Sequence, residues 1–240
     1  MPRDAVTVRP PVRAPRAGKA AVRDADRTKA AILHAATGQF AAHGLGGARV
    51  DRIAQHAKTN KRMLYYYFGD KEGLYLAVLE AAYEHIRGEE QKLELDDLSP
   101  ADGMRALCAF TWQYFVAHPA FMSLLSTENL HRARYLRRST KVRALHSPLV
   151  AMLSKLLDRG CRDGVFRRDV DPVQLYISIA ALGYFYLGNA HTLSTIFGRN
   201  LLAPRARAAR QAHVAELVLR SLAAVPAAGV ARGRDANYAD

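Results

Sequence analysis

The chain has little of what a disulfide scaffold, a membrane protein or an enzyme requires. Two cysteines, Cys108 and Cys161, stand in 240 residues. That is too few for a disulfide framework, and they read as small buried hydrophobes in a reducing compartment. The longest apolar run, Leu175–Leu187, is about thirteen residues and carries Ser178 and Gly183, too short to span a bilayer. The amino terminus has Arg and Pro but no apolar run behind them, so no secretory signal is expected. A soluble, cytoplasmic protein without membrane contact is expected. HExxH spacing, a nucleophile elbow and a glycine-rich phosphate loop are all missing. The histidines are scattered, among them His43, His56, His118 and His131. No catalytic residue, metal site or cofactor is expected.

Negative charge is also scarce: 22 Asp/Glu face 35 Lys/Arg, a formal net charge of +13. A balance of that sign points to a polyanionic partner, nucleic acid or an anionic membrane surface. The distribution is uneven. Residues 1–70 hold thirteen Lys/Arg and five Asp/Glu, whereas residues 71–100 hold three and eight. A basic head joined to a different body fits this asymmetry. Residues 1–24, rich in Pro, Arg and Ala without apolar period, read as a disordered basic arm; residues 225–240 read as a flexible tail.

The organising stretch is Arg49–Leu74. Val50, Ile53, Ala54 and Ala57 fall at helical spacing. Lys58-Thr59 interrupts, and Asn60 stands where a helix cap belongs. A second short helix runs from Lys61 to about Tyr67, with Leu64 and Phe68 inward and Lys61, Arg62, Met63 and Tyr66 outward. Gly69-Asp70 closes the unit, Asp70 capping a longer helix from Lys71. Two short helices around a tight turn, the second cationic and aromatic on its outer face, make a helix-turn-helix.

Ile53-Ala54, Ala57, Leu64-Tyr65, Tyr67-Phe68, Lys71-Glu72 and Leu74 resemble the amino-terminal pattern of TetR/AcrR-type transcriptional regulators. The match covers roughly residues 26–79. Two positions depart: Lys58 stands where that family usually has Gly, and Arg49 where a Thr cap is common.

The rest of the chain reads as helix, so the fold class is all-α. A first helix over Asp26–His43 stops at Gly44, and Ile32, Ala36 and Phe40 share its inner face. The fourth, roughly Lys71–Leu95, buries Leu74, Val78, Ala82 and Ile86 and leaves Glu80, Glu84, Glu89 and Glu90 outside. Helices follow at about 101–118, 120–130, 142–161, 172–189 and 205–222, with a short helix or loop over the basic 132–143 stretch. Asp171-Pro172 has the order of a helix start. The segment after it is apolar on nearly every side, which requires partners all round. The domains are thus the arm (1–24), a helix-turn-helix head (25–72), a body (73–224) and the tail.

The resemblance implies a homodimer whose last two long helices pair, and a body enclosing a small-molecule effector between the fourth and seventh helices. The segments 128–136, 147–160 and 171–201 look like one subgroup of the family's carboxyl halves. It also implies that Tyr67 and Lys71 hold phosphates of double-stranded DNA. With Asn60 as cap, Lys61, Arg62, Met63 and Tyr66 are candidates for base edges, Arg62 foremost because guanidinium can pair with guanine twice. Aromatic density suggests Trp112, Phe115, His118, Met122, Asn129 and Tyr135 for the effector cavity, although such a stripe is more often plain core. The expected function is a repressor released from a palindromic operator by a small molecule. A sequence-indifferent DNA-compacting protein is the alternative.

Overall fold

A computed structural model describes residues 19–224. Its helices are α1 (Lys19–Gly47), α2 (Val50–His56), α3 (Lys61–Phe68), α4 (Lys71–Glu90), α5 (Pro100–Ala117), α6 (Pro119–Leu130), α7 (Thr140–Leu145), α8 (Ser147–Arg162), α9 (Pro172–Gly188), α10 (Ala190–Phe197) and α11 (Pro204–Leu222). Within the described residues the only β feature is an isolated bridge, Phe166 to Ala223. The expected arm lies outside the described residues up to residue 18; residues 19–24 already belong to α1. The tail lies outside them altogether.

The head is built as its apolar spacing requires. Ile32, Ala36 and Phe40 of α1 are fully buried against Ile53, Ala54, Leu64, Leu74 and Tyr75. Gly44 takes a positive φ of 62° and kinks α1 at the point where a stop was expected. The last turn, to Gly47, then continues in a new direction.

α4 carries the head into the body. Leu74, Val78 and Ile86 are buried along it, and its acidic residues find the basic stretch that follows α6. Glu84 pairs with Lys141 at 2.6 Å, Glu72 with Arg138 at 3.5 Å, and Glu80 accepts from Ser139 Oγ at 2.6 Å. The charge reversal read along the sequence is therefore a seam between two segments. Glu90 departs from this pattern, being buried with Arg87.

The body core joins Met104, Leu107 and Cys108 of α5, Leu149, Leu153 and Leu156 of α8, Ile179 of α9 and Val218 of α11. Burial pushes the Cys108 thiol up to about 12, consistent with an inert small hydrophobe. The helix expected over 142–161 is two helices. Pro148 has no N–H to continue the ladder, so it stands in the first turn of α8 and α7 ends before it. After α9 the chain adds α10, which Gly198 ends in left-handed conformation.

α9 is buried on one face only. Leu175, Ile179 and Gly183 face the chain's own core, and a Cβ on Gly183 would meet Phe115 at 3.3 Å. Val173, Ile177 and Phe185 are exposed, at four-residue spacing through Ala181.

Candidate nucleic-acid interface and effector cavities

Local chemistry fixes α3. Asn60 has extended backbone, and its Oδ1 accepts the Met63 N–H at 3.1 Å. Asp70 does the same for Gly73 at 2.7 Å, starting α4. The turn between α2 and α3 closes through Lys58 N–H to Gln55 O and Thr59 N–H to Ala54 O. Lys58 itself has φ of 50°, the left-handed region where a glycine costs least. Arg49 stands at the start of α2 with extended backbone and no side-chain cap. Both departures from the family pattern are thus positions where this chain forgoes a stabilising residue.

Lys61, Arg62, Tyr65 and Tyr66 are exposed on α3, Tyr66 at 78 %. Lys61 forms an ion pair with Asp51 of α2. Met63 and Tyr67 are half-buried against the head core, and the Tyr67 ring meets Tyr66 edge-on at 5.1 Å. Lys71 donates to Gly46 O at 3.3 Å, which holds its ammonium beside the last turn of α1. The seven expected residues therefore lie on or next to one short helix. Tyr65, outside the expected set, shares that exposure; its place in the LYxYF run drew attention to the fold rather than to the surface.

The six aromatic and polar residues expected around an effector do not converge. Trp112 is buried edge-on to Tyr186 at 5.5 Å. Phe115 and Met122 are buried in a cluster with Ile86, Tyr114 and Phe121. Asn129 is exposed, its amide donating to Leu125 O. Tyr135 is buried in the head core, against Tyr75. His118 alone borders a large cavity, of about 440 Å³, between α1, α4, α5 and α6. There its ring stacks on Tyr114 at 4.0 Å, its Nδ1 lies 2.9 Å from Tyr114 O, and His85 Nδ1 lies 2.9 Å from the Tyr114 hydroxyl.

A second, water-sized void of about 20 Å³ lies between α4 and the α7–α8 pair, bordered by Arg87, Glu90, Leu145, Pro148, Leu149 and Met152. Arg87 and Glu90 are each 2 % exposed. Arg87 Nη2 donates to the Tyr176 hydroxyl of α9 at 2.7 Å. Desolvation outweighs the Arg87 charge at Glu90 and pushes its carboxyl up to about 7. A shallow apolar groove of about 540 Å³ runs between α9 and α11, along Leu182, Leu217 and Val218. Among the described residues no group of three or more His, Cys, Asp or Glu is arranged to hold a metal. No helix among them is long and apolar enough to cross a membrane.

Comparison with known proteins agrees with this geometry at both ends of the chain. Residues 32–78 match the family model described as bacterial regulatory proteins, tetR family, and residues 100–218 match a tetracyclin repressor-like C-terminal domain. The HTH-type transcriptional repressor NicS of Pseudomonas putida is 42% identical over 198 residues, covering 82% of this chain and 93% of NicS. The crystal structure of the transcriptional regulator SCO4942 from Streptomyces coelicolor superposes with a TM-score of 0.62 at 28% identity, over 82% of this chain and 99% of that one. FadR of Bacillus subtilis, solved in complex with stearoyl-CoA, shares the fold at 14% identity, with a TM-score of 0.59 over 80% of this chain and 98% of its own. The helix-turn-helix head, the all-helical body and these similarities lead to one conclusion: the chain belongs to the TetR family of transcriptional regulators.

Proposed function

We propose that the protein is a homodimeric, cytoplasmic repressor that leaves a near-palindromic operator when a small molecule enters its body. The observation that carries the DNA half is α3. Its Asn60-capped start presents Lys61, Arg62 and Tyr66 together on an exposed face. Two copies of α3 would enter successive major grooves about 34–36 Å apart. Arg62 then reads a base edge, guanine for preference, with Lys61 and Tyr66 beside it and Met63 against a thymine methyl. Tyr67 and Lys71 hold phosphates, which fix register without reading sequence.

The dimer half rests on α9. Val173, Ile177 and Phe185 form an exposed apolar stripe, and Leu217 of α11 is exposed in the groove between α9 and α11. A second copy covers such a stripe with its own, as two-fold symmetry demands. The effector acts in the cleft between α4 and α7–α8. α4 begins in the head, so a molecule that moves its carboxyl end shifts the spacing of the two α3 helices. It must favour the non-binding spacing, since equal affinity for both states shifts nothing.

Footprinting the purified protein on genomic DNA tests the reading. A repressor protects short palindromes against excess random duplex. Equal binding to every duplex, with no protected site, would favour the DNA-compacting alternative.

A further inference from the structure

The body interior holds a charged pair, Arg87 and Glu90, that has no reason to be there for stability alone. Arg87 and Glu90 sit one turn apart at the end of α4, each 2 % exposed. Their nearest atoms, Nη1 and Oε2, are 2.8 Å apart, yet neither is aligned for a hydrogen bond, and Arg87 Nε and Glu90 Oε1 have no partner either. Among the described residues only the Tyr176 hydroxyl accepts a hydrogen bond from the guanidinium, which also lies over the Tyr176 ring at 5.2 Å. A buried ion pair needs good geometry and satisfied lone pairs to offset its desolvation. This one has neither, and both of its residues border the void between α4 and α7–α8.

We propose that Arg87, Glu90 and Tyr176 form an anion receptor, and that the effector carries a carboxylate which replaces Glu90 at the guanidinium while Glu90 takes up a proton from solvent. The proposal rests on the reading that the effector acts in this cleft.

The surrounding groups decide the sign. Tyr83 on α4 and Tyr114 on α5 are both pushed up to about 12 by burial, and Tyr176 on α9 is raised in the same way. His146, between α7 and α8, is pushed down, first by burial and then by the Arg87 charge. All four stay neutral near neutral pH. A guanidinium keeps its charge, whereas burial already brings Glu90 to about 7. The lasting charge of the interior is therefore positive, and an incoming anion is favoured over a cation. A planar carboxylate also suits the guanidinium fork. The remaining walls, Leu145, Pro148, Leu149 and Met152, call for an aliphatic body on that carboxylate. The void holds only one water-sized group, so anything larger must part α7–α8 from α4. That movement is the one an effector response requires, and Tyr176 ties it to α9.

The test uses the full chain with hexanoate and cyclohexanecarboxylate, each against its neutral amide. Binding is read by calorimetry at about pH 6 and about pH 8, and DNA release by fluorescence anisotropy. Each carboxylate should bind roughly tenfold or more tighter than its amide, tighter at the lower pH, with proton uptake approaching one per ligand at about pH 8 and little at about pH 6, where Glu90 is already largely protonated. Glu90→Gln should keep carboxylate binding and lose its pH dependence; Arg87→Gln should lose the preference for carboxylates. Should Arg87→Gln not fold, Glu90→Gln and Tyr176→Phe, which weakens carboxylate binding alone, still decide. Equal binding of amides, binding of neither class, or unchanged pH dependence in Glu90→Gln overturns the receptor. Carboxylates that bind without releasing DNA would leave the receptor standing and remove the effector reading. Neutral molecules that release DNA equally from Arg87→Gln would do the reverse.

Discussion

Tyr135, on the chain between α6 and α7, stands edge-on to Tyr75 of α4 with ring centroids 5.3 Å apart, inside the core of the head. Glu128 places it there: its Oε1 accepts the N–H groups of Tyr135 and Leu136, both at 2.9 Å. A loop of the body therefore plugs the domain that reads DNA. Tyr135→Ala should lower stability by about 3 kcal/mol, the usual cost of emptying a buried aromatic site, and weaken operator binding further by loosening α4 against the head. Tyr135→Phe should keep both close to wild type. Chemical denaturation and DNA titration of the two variants check this; equal behaviour of Ala and Phe would show that the ring is not wedged as described.

Lys58 offers a test in the opposite direction. Its φ of 50° is a conformation that costs a residue with a Cβ about 1 kcal/mol. Lys58→Gly should raise stability by about that amount. Arg49→Thr should add about 1 kcal/mol more by capping α2, because Arg49 already has the extended backbone of a cap and supplies no side-chain acceptor. Thermal melts of each variant and the pair suffice. A lower Tm for Lys58→Gly would mean that the Lys58 side chain contributes more than its backbone costs.

On DNA, Arg62 and Lys71 should separate. Arg62→Ala should relax preference at one base pair by ~1–3 kcal/mol, while Lys71→Ala should weaken binding to all sequences and flatten the salt slope by about one unit. Uniform loss for Arg62→Ala would assign it to phosphate, and an unchanged slope would remove the Lys71 contact.

The contrast between these residues shows where sequence reading reached and where it stopped. Asn60, Asp70 and Asp171 cap helices in the structure as their neighbours in sequence imply, because a cap is a bond across two or three residues. Ile32, Ala36 and Phe40 are buried as their spacing implies. Tyr135 carries no such signal: it sits among arginines, and its partner Tyr75 lies on another helix. Glu90 looks in the sequence like one more acid on a solvated face, and it is buried where α7–α8 pack beside it against α4. Gly183 shows the same limit. Its small size is used against Phe115 of the same chain, a partner the sequence does not name.

Glu90 also makes a stability prediction that is independent of any ligand. Its carboxyl rises from 4.5 to about 7 on folding, chiefly by desolvation, so the folded chain binds the proton more tightly than the unfolded one. The stability Glu90 contributes is fully present below about 4.5 and is lost as pH rises through about 7. Removing its charge with Glu90→Gln changes the absolute stability through Arg87, but the variant has nothing to titrate at that position. The difference, wild type minus Glu90→Gln, should therefore fall steadily between those two pH values. Denaturation curves across that range measure it, and a difference that rises with pH would mean that the Arg87 charge outweighs desolvation at Glu90.

Ile177 tests the dimer without disturbing the core. It is 51 % exposed, near the middle of the stripe from Val173 to Phe185, so a charge there meets solvent in a monomer and a second apolar stripe in a dimer. Ile177→Glu should leave helical content unchanged and shift the protein to monomer in sedimentation. Operator affinity should collapse with it, because one α3 reads only half a site, while single-half-site binding at low salt should survive. Retention of the dimer in Ile177→Glu would place the two-fold contact elsewhere, with the exposed Ile196 and Phe197 of α10 the next surface to charge.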